Sequence, residues 1–243
     1  MKSLIKGVLA GLALSVALSG IASAQTIRMG TEGAYPPYNF INDSGQVDGF
    51  ERELGDELCK RAGLTCEWVT NEWDSIIPNL VSGNYDTIIA GMSINDEREE
   101  VIDFTQDYIP PATSSYVALS EDAPLDGVVA AQTSTLQSGY ISESGATLLE
   151  YATADEIISA LRNGEADAVF FDTDYLTPIV EESAGELMFV GETVTLGRGT
   201  GMGIRESDGE LKDTFDTAIT SMKEDGSLNE LLIKWFGEGT DTY

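Results

Sequence analysis

The sequence predicts an α/β protein of two αβ lobes joined by two hinge crossings. Three observations carry this expectation. Short apolar runs with β-branched residues alternate with helical periodicity in the order strand, loop, helix, strand, helix, strand up to Ala90, which points to a parallel sheet flanked by helices. A second, smaller alternation of the same kind follows. Between the two, residues 108–113 (Tyr-Ile-Pro-Pro-Ala-Thr) break the rhythm, and glycines alternate from Gly197 to Gly203, as suits a strand or hinge passing between lobes. The expected boundaries are 25–109 plus 195–243 for the first lobe, 114–191 for the second, and crossings at 110–113 and 192–194.

Residues 1–24 read as a secretory signal peptide. Lys2 and Lys6 precede the apolar run Val8 to Ile21, and Ala22-Ser23-Ala24 fits a cleavage site after Ala24. A retained anchor is the alternative, but no later run approaches the length that spans a bilayer. Export to the periplasm is the expectation.

Thr26 to Gly30 is read as the first strand, Glu32 to Tyr38 as a loop held open by Gly33, Pro36 and Pro37, and Asn42 to Gly45 as a turn. Phe50, Leu54 and Leu58 recur at four-residue spacing in a helix over 49–62 that Gly63 stops. Cys66 to Val69 is a strand, Trp73 to Val81 a helix, and Asp86 to Ala90 a strand. That strand stops at Gly91, and Ser93, Asn95 and Asp96 carry side chains that cap a helix start. A helix N-terminus there would aim backbone N–H groups at one point and attract an anion. Arg98 follows in the first turn and can add a bidentate clamp for a carboxylate. The plainer reading is that Arg98 pairs with Glu97, Glu99 or Glu100 on a solvated face.

In the second lobe, Tyr116 to Leu119 and Val128 to Ala131 read as strands, with Gln132 to Thr135 capping a helix towards Glu143. Thr153 to Asn163 is a helix stopped by Gly164, Ala168 to Phe171 a buried strand leading to Asp172, and Leu187 to Val190 the last strand. Helices at 208–225 and 227–236 complete the first lobe. Ligand is expected in the cleft, where strand C-terminal ends face each other.

Composition narrows the function. The formal net charge is −29, and −31 without Lys2 and Lys6, so nucleic acid and anionic membrane surfaces are poor partners. A cationic or zwitterionic ligand suits that field, although adaptation to a salty medium accounts for most of the charge. The chain has no histidine, which excludes Ser-His-Asp and Cys-His catalysis and ordinary zinc sites. The glycine run has no G-x-G-x-x-G register into a helix, so a dinucleotide is excluded as well. No cofactor or metal is expected. Cys59 and Cys66 follow an export signal and are read as one disulfide pinning a helix end to the following loop.

Gly30 to Tyr38, Asp48-Gly49-Phe50, Trp73 to Pro78, Tyr85-Asp86 and Met92 to Arg98 together resemble the polar amino-acid periplasmic binding proteins of ABC importers, most closely the lysine/arginine/ornithine, histidine and opine branch. The resemblance implies a type II-like two-lobed fold that closes on a ligand and presents it to a membrane permease. It also implies roles by position. Arg98 would clamp the ligand α-carboxylate with help from the Ser93 hydroxyl and the Thr135 N–H, and Asp172 would pair with the α-ammonium. Tyr35 and Trp73 would sandwich the side chain, and Glu32 would face a distal cation. Ala90 and Gly91 lack a hydroxyl that the family usually has there, which leaves hydrogen bonding at Gly91 to the backbone.

A monomeric binding protein for a cationic amino acid or an opine is therefore expected, with no enzymatic activity. The alternatives are a cyclohexadienyl-type dehydratase on the same fold, with Glu32 or Asp172 as general acid, a binder of a neutral polar amino acid, or a sensory module.

Overall fold

The structure, a computed structural model, describes residues 26–243; the signal-peptide reading lies outside the described residues. The first part of the chain gives β1 (Thr26–Thr31), β2 (Ala34–Tyr35), β3 (Asn39–Ile41), β4 (Val47–Asp48), α1 (Phe50–Ala62), β5 (Thr65–Thr70), α2 (Ile76–Val81), β6 (Thr87–Ile88), α3 (Asp96–Glu99) and β7 (Asp103–Ile109). Next come β8 (Thr113–Ala118), β9 (Val128–Gln132), α4 (Leu136–Ser144), β10 (Thr147–Tyr151), α5 (Ala154–Arg162), β11 (Ala168–Asp172), α6 (Thr173–Glu182) and β12 (Met188–Thr195). The chain ends with β13 (Thr200–Ile204), α7 (Gly209–Glu224) and α8 (Ser227–Phe236).

Two five-stranded sheets form the two lobes, ordered β5-β1-β6-β13-β7 and β10-β9-β11-β8-β12. Each is mixed rather than purely parallel. In the first, β13 runs antiparallel to both β6 and β7. In the second, β8 runs antiparallel to β11 and β12. The glycines of β13 are a packing requirement: a Cβ on Gly201 would meet Ile94 Cδ1 at 2.9 Å and one on Gly203 would meet Ile102 Cδ1 at 3.1 Å. Bulk on β13 would push the Ile94 and Ile102 side chains, which flank α3, off the sheet.

Helix α1 buries Phe50, Leu54 and Leu58 as their spacing requires, and the left-handed Gly63 closes it by donating to the Lys60 carbonyl. Its start is unusual, because Glu51 is also fully buried. Cys59 and Cys66 form the expected disulfide, which ties the end of α1 to strand β5 rather than to a loop.

Several differences from the sequence reading have physical reasons. The loop read over Glu32 to Tyr38 contains β2, which with β3 and β4 forms a small antiparallel sheet whose pieces are too short to show a period. Strands β7 and β10 are rich in polar residues and carry no clean apolar run. Residues 192–194, expected as a crossing, lie within β12, where β-branched Val194 and Thr195 pair with Ser114 and Thr113 after a shift of register. The links between the sheets are residues 110–112 and 196–199.

Candidate ligand-binding site in the cleft

Glu32, Tyr35, Trp73, Gly91, Ser93, Arg98, Thr135 and Asp172 all line one pocket. Chain order alone does not place them together; the two sheets do. Glu32, Tyr35, Trp73, Gly91, Ser93 and Arg98 follow the ends of first-lobe strands, whereas Thr135 caps α4 and Asp172 ends β11 in the second lobe.

Arg98 does not sit on a long helix. α3 is a single turn, and Asn95 Oδ1 accepts the Arg98 N–H at 2.8 Å, so the expected focus of backbone donors is replaced by the guanidinium itself. That guanidinium donates to the Ser93 carbonyl at 2.7 Å and, across the cleft, to the Ser134 carbonyl at 3.2 Å. It lies 5.3 Å from the Trp73 ring centre. Among the described residues it forms no ion pair with Glu97, Glu99 or Glu100, and Glu99 pairs instead with Arg198. Burial draws the Arg98 pKa down to about 10, against the pull of Glu97 and Asp172. A partly buried cation with no partner carboxylate among the described residues favours an incoming one.

Asp172 faces it from the other lobe. Its Oδ2 accepts the Tyr35 hydroxyl at 2.5 Å and its Oδ1 accepts the Gln137 amide at 2.7 Å. Burial, with nearby Asp174, pushes its pKa up to about 6, and the bonds from Tyr35 and Gln137 hold it back. Glu32 forms a third pole. Burial pushes its carboxyl up to about 7, opposed by the Gln132 amide that donates to it at 2.8 Å. A positive group placed beside either acid would lower its pKa again.

The aromatic residues are more buried than a loop reading suggested. Tyr35 and Tyr38 are 5% and 3% exposed and stack with centroids 4.5 Å apart. Their hydroxyls reach Asp172 and Asp174 in the other lobe. Trp73 packs in a first-lobe core cluster while lining the pocket, and donates to the Ser134 carbonyl at 3.3 Å. Gly91 lies in the left-handed region at φ 62°, and a Cβ there would meet the Tyr35 ring at 2.6 Å. Its N–H is committed to Glu51 at 2.6 Å, so backbone hydrogen bonding to a ligand at Gly91 falls to its carbonyl. The Thr135 side chain is spent on the α4 cap, donating to the Gln132 carbonyl and accepting from Ser138.

Gln132, Gln137 and the Ser134 carbonyl belong to the same site and were not identified from sequence. Glutamine carries no charge or period to mark it. Only the run of polar residues at the end of β9 pointed to this corner.

Comparisons with known proteins find relatives over nearly the whole chain. A family model for bacterial extracellular solute-binding proteins, family 3, matches residues 27–238. The lysine/arginine/ornithine-binding periplasmic protein of Escherichia coli (strain K12) is 32% identical over 254 residues, covering 95% of this chain and 96% of that protein. The L-arginine-binding protein of Pseudomonas aeruginosa is 32% identical over 247 residues, covering 94% of this chain and 95% of that protein. Among solved structures, a periplasmic His/Glu/Gln/Arg/opine family-binding protein from Silicibacter pomeroyi in complex with lysine matches with a TM-score of 0.89 at 76% identity, covering 89% of this chain and 100% of that one.

Proposed function

The chain belongs to the bacterial extracellular solute-binding proteins, family 3, and from that premise we propose that it captures a cationic amino acid in the periplasm and delivers it to an ABC importer. The observation that carries the reading is one pocket lined by a guanidinium that forms no ion pair among the described residues and by two carboxyls, Asp172 and Glu32, at its other poles. A zwitterion with a positive side chain supplies one negative and two positive groups, which matches that set charge for charge. Arg98 takes the α-carboxylate, Asp172 the α-ammonium, and Glu32 the distal cation, with Tyr35 and Trp73 flanking the alkyl chain. The same charges gain strength as the cleft expels water, because both ends of the ligand are paired.

The lysine complex of the relative at 76% identity supports a lysine-like ligand. In this reading the lobes close about residues 110–112 and 196–199, residues 1–24 direct export and are removed after Ala24, and the protein works as a monomer that binds without turnover.

A thermal-shift screen against amino acids and opines tests the proposal, since a ligand that binds only the folded state raises the melting temperature. Lysine, arginine or ornithine is expected to give the largest rise. If glutamine or another neutral amino acid does so, the assignment of Glu32 to a distal cation is wrong.

A further inference from the structure

We infer that Glu51, which does not line the pocket, is the positioning residue that sets the first-lobe half of the site. This rests on reading the cleft as an amino-acid site. Glu51 is completely buried in the first turn of α1. Its Oε1 accepts the Gly91 N–H at 2.6 Å and the Tyr108 hydroxyl, and its Oε2 accepts the Asn39 amide at 2.7 Å. Asn39 Oδ1 in turn accepts the Gly33 N–H at 2.6 Å. One carboxyl therefore ties together four separate segments: β3, the loop at Gly91 and the end of β7 directly, and the loop beside Glu32 through Asn39.

The pocket inherits that registration. Gly33 follows Glu32 directly, and Gly91 lies against the Tyr35 ring that reaches across to Asp172. The start of α1 adds to the hold, because the N–H groups of Phe50 and Glu51 donate to the carbonyls of Pro37 and Tyr38 at 3.0 and 2.9 Å. A buried acid that served stability alone could be met by donors from its own neighbourhood. Here one of the three donors, Gly91, itself lines the pocket, and a second, Asn39, holds Gly33 beside Glu32. Towards all three donors the carboxyl oxygens act only as acceptors. Displacing such a frame by a fraction of an ångström costs binding geometry well before it costs the fold.

The test exploits the acceptor pattern. Glu51→Gln keeps an oxygen for Gly91 and Tyr108 but turns an amide NH₂ against the amide of Asn39. Adding Asn39→Asp replaces that donor with an acceptor that can still receive the Gly33 N–H. Lysine affinity, measured well below the melting temperature, is expected to fall roughly tenfold or more in Glu51→Gln and to recover to within about threefold in the double variant. In the ligand-free protein, amide exchange at Gly33 and Gly91 should quicken relative to Ile89 in the single variant and slow again in the double. Tyr108→Phe removes one donor without disturbing the acceptor, and should weaken lysine binding severalfold if Glu51→Gln does not fold. Unchanged affinity and exchange in either single variant, or a folded double variant no better than Glu51→Gln, overturns the inference. Should the unmodified protein not bind lysine, the functional reading fails, and the exchange measurements still decide the role of Glu51.

Discussion

Arg98 is held over an indole ring and between two backbone carbonyls, with no carboxylate of its own among the described residues. Arg98→Ala is expected to reduce ligand affinity by at least about a hundredfold, because truncating one side of a desolvated charge pair costs several kcal/mol. The melting temperature of the ligand-free protein should stay within a few degrees, since the side chain completes no core cluster. Calorimetric titration and a thermal melt on the same sample separate the two. Glu32 adds a pH signature. Its free-protein pKa is pushed up to about 7 by burial, and a bound cation favours its charged form. Lysine affinity should therefore fall about tenfold from pH 8 to pH 6, while glutamine affinity should not follow that slope. Equal slopes for the two ligands would remove Glu32 from the distal position. Arg98 stood out in the sequence as an arginine after a capping pattern, whereas Glu32 was named only through the family resemblance. Glu51 was not identified, because an acid next to an apolar stripe reads as the solvated edge of a helix, and only the sheet packing shows that it points inward.

At the scale of elements, the long periodic segments were legible and the short ones were not. α1 and α5 each present an apolar stripe bounded by a glycine or a capping box, so their position follows from local chemistry. The two-residue strands β2 and β4 exist only through pairing with β3, a non-local fact that no local pattern records. α3 was expected as a helix start able to hold an anion, but its single turn leaves that work to a side chain. The Cys59–Cys66 bridge joins α1 to β5, and so anchors the edge strand of the first sheet to the helix that carries Glu51. Replacing both cysteines with serine should cost roughly 2–3 kcal/mol in the chain-entropy model. For a protein of this size that corresponds to a fall in melting temperature of about 5–10 °C, measurable by calorimetry. A fall of less than a degree would mean that the edge strand is held by sheet pairing alone.

The whole molecule carries a formal charge of −29, and its self-repulsion opposes the compact state. Several buried or partly buried acids set the pH dependence, and burial raises Glu51 and Asp174 as well as the two that line the pocket. For Glu32 and Asp172 the folded pKa is raised, to about 7 and about 6, so their contribution is present below the unfolded values near 4 and is lost as pH rises through 6 to 7. Asp86 behaves oppositely: burial pushes it up, but bonds from Arg28 and Arg205 outweigh that and hold it at about 2, so its contribution is lost only as pH falls below 4 towards 2. The ligand-free protein should accordingly melt higher at pH 5 than at pH 8 in low salt. Sodium chloride at about 0.5 M should narrow the gap by screening at pH 8. A higher melting point at pH 8 in low salt would show that repulsion and the raised acids are both minor.

The place of β13, between β6 and β7 yet drawn from residues 200–204, has a consequence in time as well as in space. A chain that emerges amino end first presents most of its leading lobe early but cannot finish that sheet until the late strand arrives. The intervening lobe, built from one unbroken stretch, needs nothing from beyond β12 to complete its strands. The half that grips the ligand with Arg98 is thus the last to be assembled, and binding to Arg98 must wait for it as the chain folds.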